Sequence, residues 1–189
     1  VYLVHSKLDG TRQVIKQIPL QGLSEKQRKD TLNETKIHSQ IEHPHIIRFH
    51  QWFLEDNNLY IRMEYAEKGD LMHLIEAHKK ESRYIREDAI WEYLTQISRG
   101  LQYLHSKRIL HRDIKARNIF LDSNLNIKIG DLGLGRKLGD ASYFAYTAVG
   151  TPLYFSPEMC QERAYNEKSD VWALGCLIYE MAALEPPFM

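Results

Sequence analysis

The chain has 189 residues, enough for one substantial core or two small ones, and its 25 Lys+Arg balance its 25 Asp+Glu to a formal net charge of +0. That balance leaves no global field to recruit nucleic acid or an anionic membrane, and neither is expected as a partner. Cys160 and Cys176 lack metal-ligand spacing, the nine histidines form no zinc-type cluster, no apolar run is long enough to span a bilayer, and no secretory leader pattern opens the sequence; a soluble, intracellular, cytoplasmic protein is expected.

Val1 to His5 and Gln13 to Pro19 read as β segments joined by a turn at Asp9-Gly10. Ser24 to Ile41 is polar, with Leu32, Ile37 and Ile41 read as one helical face, and His43 and His45 flank Pro44 in a helix-to-strand turn. Ile46 to Leu54 and Leu59 to Tyr65 are aromatic and β-branched, with Asp56-Asn57-Asn58 as turn material between them. Residues 1–65 are therefore expected to form a small sheet carrying one helix, and residues 66–69 a hinge.

From Asp70 onward the texture is helical. Ile90, Leu94, Ile97, Leu101 and Leu104 lay one apolar stripe along a long helix. Two short runs, Asn118 to Leu121 and Asn126 to Ile129, look like a hairpin. Lys168 to Leu184 is apolar almost all round, which predicts a helix buried inside the second unit, residues 70–189.

Between the long helix and the hairpin, residues 110–118 read Leu-His-Arg-Asp-Ile-Lys-Ala-Arg-Asn. A lone Asp is often only a turn cap. Here Asp113, Lys115 and Asn118 combine a base, a phosphate-contacting cation and a metal ligand, which is what phosphoryl transfer needs, since that chemistry reduces to positioning and charge neutralisation. Asp131-Leu132-Gly133 follows the hairpin and returns a carboxylate beside Asn118. Two oxygen ligands on adjacent loops suit Mg²⁺, provided ATP phosphates supply the rest.

With these motifs in view, the chain resembles the eukaryotic protein kinases, and within them the NIMA-related serine/threonine kinases. Lys16 sits at the family's third-strand lysine and Glu34 at its helix C glutamate. Ser156-Pro157-Glu158 stands for the usual Ala-Pro-Glu, and Ser169-Asp170-Val171-Trp172 opens the large C-lobe helix. The NIMA-related likeness lies in Leu59 to Tyr65, in Gly150-Thr151-Pro152, and in Tyr165-Asn166-Glu167-Lys168-Ser169-Asp170 with Gly175-Cys176-Leu177. The resemblance implies a two-lobed α+β fold, a small β-rich N-lobe and a mainly helical C-lobe, with both ends of the domain incomplete: no glycine-rich loop and no last C-lobe helices.

It also implies roles. Asp113 orients and deprotonates the acceptor hydroxyl, Lys115 and Lys16 stabilise phosphate charge, Glu34 pairs with Lys16, and Thr151 bridges Asp113 and Lys115. Asn118 and Asp131 hold the metal. Val1, Val14 and Phe120 sandwich adenine, Met63 closes the rear of its pocket, and Glu64 and Ala66 offer hinge backbone groups. Thr147 is the activating phosphosite, with Arg112 and Arg136 to receive its phosphate. Asp170 bonds the catalytic-loop backbone, Glu158 pairs with an arginine further along the family domain, and His111 joins Leu132 in an apolar spine without an acid-base role. His38 departs from the family, standing in helix C where a hydrophobe is usual.

The reaction implied is transfer of the γ-phosphoryl of Mg-ATP to Ser or Thr of protein substrates, under an activating kinase, with cell-cycle, cytoskeletal, centrosomal or ciliary work. A pseudokinase-like scaffold and a non-functional fragment remain the alternatives.

Overall fold

The computed structural model describes residues 1–132, 153–161, 163 and 166–188. Strands β1 (Tyr2–His5) and β2 (Arg12–Pro19) pair antiparallel across the expected turn. Gly10 takes φ 70°, a conformation costly for other residues, while the Asp9 carboxylate accepts the Thr11 N–H at 3.1 Å. Strands β3 (Phe49–Glu55) and β4 (Asn58–Glu64) are joined by Asp56 and Asn57, both at positive φ, as a two-residue hairpin turn matched to strand twist requires. The sheet order is β1-β2-β4-β3, so β2 and β4 are central and carry the residues of the site.

Helix α1 (Glu25–His38) begins at Ser24, whose side chain accepts the Gln27 N–H while the Gln27 side chain accepts the Ser24 N–H. Its buried face corrects the sequence reading. Ile37 is 50% exposed, Ile41 lies beyond the helix, and the buried positions are Thr31 and Thr35. The reason is rotational, since residues five apart, such as Leu32 and Ile37, point roughly 140° away from each other on a 3.6-residue helix. Leu32 packs on the sheet core of Leu20, Leu59 and Ile61.

The second core gathers α2 (Leu71–Lys80), α3 (Glu87–Ser106), strands β5 (Ile119–Leu121) and β6 (Ile127–Ile129), and α5 (Glu167–Ala183), which follows the short α4 (Pro157–Cys160). The stripe on α3 faces inward as its spacing predicts, with Ile97 and Leu104 fully buried. At Gly100 a Cβ would meet Ile129 Cδ1 at 2.6 Å, so glycine lets α3 lie close against β6. The expectation of a helix buried on all sides fails for α5. Leu177 and Met181 are fully buried, but Val171 is 49% and Tyr179 49% exposed, because the described elements pack on one face only.

Ile41 and Ile46 precede β3 yet pack in the helical core. Ile47 N–H donates to Ile129 O and Ile129 N–H to His45 O, both at 2.8 Å, and the His43 ring stacks on Tyr103. These contacts anchor the segment after α1 to the helical unit, while Leu32 packs α1 itself on the sheet core.

Candidate active site

The loop after α3 is gripped from α5. Asp170, fully buried, accepts the backbone N–H groups of His111 at 3.0 Å and Arg112 at 2.9 Å and lies 2.7 Å from His105 Nε2. Arg112 has φ 68°, a left-handed conformation that costs a non-glycine residue roughly 1–2 kcal/mol. Two charge-assisted bonds from one carboxylate offset that strain and fix the loop's direction. His105 was not singled out from the sequence; its signal is only its place in the last turn of α3.

His111 is fully buried behind the loop. Its Nδ1 accepts the Asp113 N–H at 3.3 Å, which leaves Nε2 as the protonated nitrogen donating to Gly130 O at 2.9 Å. Burial holds the imidazole below its ordinary range, although Asp170 pulls the other way. The ring is thus a neutral brace between the loop and the end of β6.

The brace presents Asp113 to the cleft. Lys115 Nζ donates to both carboxylate oxygens at 2.9 Å, and Asn118 Nδ2 donates to Oδ2 at 2.9 Å and to the Asp113 carbonyl at 2.7 Å. Asn118 is buried in the 3₁₀ turn Ala116–Asn118 that leads into β5. With its amide donor committed, its Oδ1 is left for a cation, and no donor among the described residues is bonded to it. The β5–β6 pairing carries Gly130 N–H to Asn118 O at 2.9 Å, so Asp131 emerges beside Asn118. Asp131, at φ 55°, bonds Lys16 Nζ through Oδ1.

Lys16 is therefore ion-paired with Asp131. Central strand β2 carries the amine over the turn after β6, and the left-handed backbone of Asp131 directs its carboxylate there; Glu34 lies half-buried on α1. No cluster of three His, Cys, Asp or Glu side chains suited to a metal occurs among the described residues. Asn118 and Asp131 thus offer a sparse oxygen set, which fits Mg²⁺, a cation that keeps waters and takes substrate phosphates, better than a caged metal.

Behind Lys16 the register places Val14 opposite Met63 and Lys16 opposite Ile61, so Val14, Lys16 and Met63 share one face of the sheet. Ala66 is buried, and Lys68 N–H to Leu121 O at 3.0 Å and Leu121 N–H to Gly69 O at 2.8 Å tie residues 66–69 to β5. The β5 residue Phe120 lies so close to Gly130 that a Cβ there would sit 2.7 Å from the ring. Glu64 donates its N–H to Arg48 O at 2.9 Å, and its carboxylate meets Lys128 Nζ at 2.7 Å, an ion pair between β4 and β6 that the sequence did not suggest. Val1 precedes β1 and is 81% exposed.

On the far side, Ser169 Oγ donates to Glu158, which holds that carboxyl below its usual range. Thr147, Thr151 and Arg136 lie outside the described residues.

Comparisons with known proteins bear on this arrangement. A family model described as protein kinase domain matches residues 1–189. The chain is 41% identical over 186 residues to serine/threonine-protein kinase Nek1 of Mus musculus, covering 98% of this chain and 15% of that protein. It is 43% identical over 189 residues to serine/threonine-protein kinase Nek5 of Mus musculus, covering 100% of this chain and 29% of that protein. To serine/threonine-protein kinase Nek2 of Homo sapiens it is 40% identical over 192 residues, covering 98% of this chain and 43% of that protein. The chain thus spans less than half the length of each of these relatives, whose names are those of the NIMA-related group that the sequence resembles.

Proposed function

We propose that this chain, which belongs to the protein kinase family, is the catalytic part of a serine/threonine kinase that transfers the γ-phosphoryl of ATP to hydroxyls of protein substrates. The observation that carries the reading is the meeting of Asp113, Lys115 and Asn118 in one hydrogen-bonded group, with the Lys16–Asp131 pair on the adjoining strands. Asp113 would orient an acceptor hydroxyl and take its proton. Lys115, held on the same carboxylate, would lie where charge develops on the transferred group. Lys16 is the cation for the nucleotide's phosphates, and exchanging Asp131 for them would release that carboxylate.

Asn118 Oδ1 and the Asp131 carboxylate would hold Mg²⁺, which supplies positive charge against the phosphate oxygens when bound. Val14, Met63, Ala66, Phe120, Val1 and the backbone of Glu64 would receive adenine. Thr151 would bridge Asp113 and Lys115, and Thr147, phosphorylated by an activating kinase, would be read by Arg112 and Arg136. Among the described residues no helix is long and apolar enough to cross a membrane. An intracellular site of action, at cytoskeleton, centrosome or cilium, is part of the same proposal.

The test is phosphate incorporation into a basic protein substrate by the full-length protein. Asp113→Asn should lower kcat about 10²–10⁴-fold, with KM for ATP little changed. Asp131→Asn should abolish the Mg²⁺-dependent rate. Undiminished activity in either variant overturns the assignment.

A further inference from the structure

Among the charged side chains of the loop 110–118, Arg117 has no part in the reaction proposed above. It sits in the middle of the 3₁₀ turn Ala116–Asn118, where both flanking residues are buried, so this turn projects only Arg117 to solvent. The turn is held at both ends. Asn118 N–H donates to Lys115 O at 2.9 Å, and the Asn118 side-chain amide donates to Asp113 at 2.7 and 2.9 Å. The backbone of Arg117 is thus fixed between Lys115 and Asn118 and folded back toward Asp113. No hydrogen bond or ion pair engages its guanidinium among the described residues.

The carboxylates nearest this turn are already engaged. Asp113 takes Lys115, and Asp131 takes Lys16. Asp70 starts α2, which packs against the 3₁₀ turn, and its backbone bridges to Phe120 beside the cleft. Its carboxylate accepts the His73 N–H at 2.9 Å and lies 2.7 Å from His73 Nδ1. Arg117 therefore offers the cleft a positive charge that these neighbours do not balance.

We propose that Arg117 is a specificity-determining residue that selects protein substrates carrying an Asp or Glu close to the acceptor hydroxyl. The inference rests on the kinase reading above and names the substrate class of that same site. An extended peptide advances about 3.3–3.6 Å per residue, so with its hydroxyl at Asp113 the side chains about two to four residues away lie roughly 7–14 Å off, within the span of the turn and an arginine stem. A guanidinium grips a carboxylate through two parallel N–H bonds, which gives direction as well as attraction. A Lys or Arg at the same substrate position would meet like charge, so selection has a repulsive part beside the attractive one.

The experiment uses the full-length protein with Mg-ATP and a set of peptides that carry one serine and a single Glu, Ala or Lys at each position near it on either side. For the wild type, kcat/KM for the Glu peptide should exceed that for the Lys peptide about tenfold at the selected position, and the ratio should shrink as salt is added. Arg117→Gln should bring the ratio close to one, and Arg117→Glu should invert it. Because the ratio is read within each variant, a general loss of activity from a disturbed turn does not imitate this result. A wild-type ratio near one at every position, or a preference that survives Arg117→Glu, overturns the proposal. A wild type without transfer to any peptide overturns the kinase reading instead. Binding of the Glu and Lys peptides to wild type and Arg117→Glu, read by fluorescence anisotropy, then still decides the role of Arg117.

Discussion

The carboxylate of Asp170 holds the backbone of Arg112 from a helix 58 residues further along the chain, through an N–H bond of 2.9 Å, at a left-handed φ of 68°. The catalytic loop takes its shape from this clamp, whose other bonds reach His111 and His105. Replacing Asp170 by Ala leaves the buried His111 N–H and the half-buried Arg112 N–H without this acceptor, so a stability loss of about 3–5 kcal/mol is expected. The isosteric Asp170→Asn should fold better yet lower kcat on the order of 10²-fold, through a displaced Asp113. Denaturant melts together with steady-state kinetics check both, and an Asp170→Asn enzyme with wild-type kcat would refute the clamp.

Gly130→Ala should strike the nucleotide pocket. The added methyl meets the Phe120 ring at 2.7 Å and Ile47 Cγ1 at 3.2 Å, so the ring must shift. A loss of about 1–3 kcal/mol is expected from overpacking, with weaker ATP binding because Phe120 must shift. Isothermal titration with Mg-ATP reads the second effect; unchanged affinity would show that Phe120 does not line the nucleotide site.

Stability should fall with acid in a window set by buried histidines. His38, held at about 4, and the fully buried His111 are neutral in the fold, while both take up a proton near 6.5 when unfolded. Their contribution is complete above 6.5 and is lost as pH drops through 6.5 toward the folded values; for His38 alone it reaches about 3 kcal/mol. Carboxylates held low, such as Glu158, lose their contribution only near and below the ordinary carboxylate range, so the two classes separate on the pH axis. Thermal melts from neutral to mildly acid pH should show a falling Tm that His38→Leu moderates, and a flat Tm would refute the assignment.

Thr147 carries the regulatory expectation. A phosphate there adds about −1.5 to −2 charges for a guanidinium such as Arg112 to bind. Thr147→Ala should depress kcat about tenfold or more while leaving ATP affinity near wild type. Phosphopeptide mass spectrometry and kinetics of the full-length protein check it; wild-type activity in Thr147→Ala without phosphate at the site would remove the residue from the mechanism.

What the sequence determined by itself is whatever depends on neighbours a few residues away. The Asp9-Gly10 turn, the Ser24 start of α1, the α3 stripe and the β5–β6 hairpin all follow from local backbone preference and side-chain period. So does the order in which Asp113, Lys115 and Asn118 meet, because a 3₁₀ turn returns Asn118 to Asp113 within five residues. The family resemblance was readable for the same reason, since its motifs are short and contiguous.

Tertiary structure decided which partner each side chain takes. Lys16 meets Asp131, 115 residues away, through the fold and not through any sequence period. The Glu64–Lys128 pair and the approach of Asp170 to His105 join segments whose spacing in sequence carries no period. Burial was likewise settled by packing: Ile37 and Val171 are apolar yet exposed, while Thr31, Thr35 and Asp170 are polar yet buried. A residue's chemistry states what it would gain from an apolar or charged neighbour, but only the assembled fold supplies the neighbour.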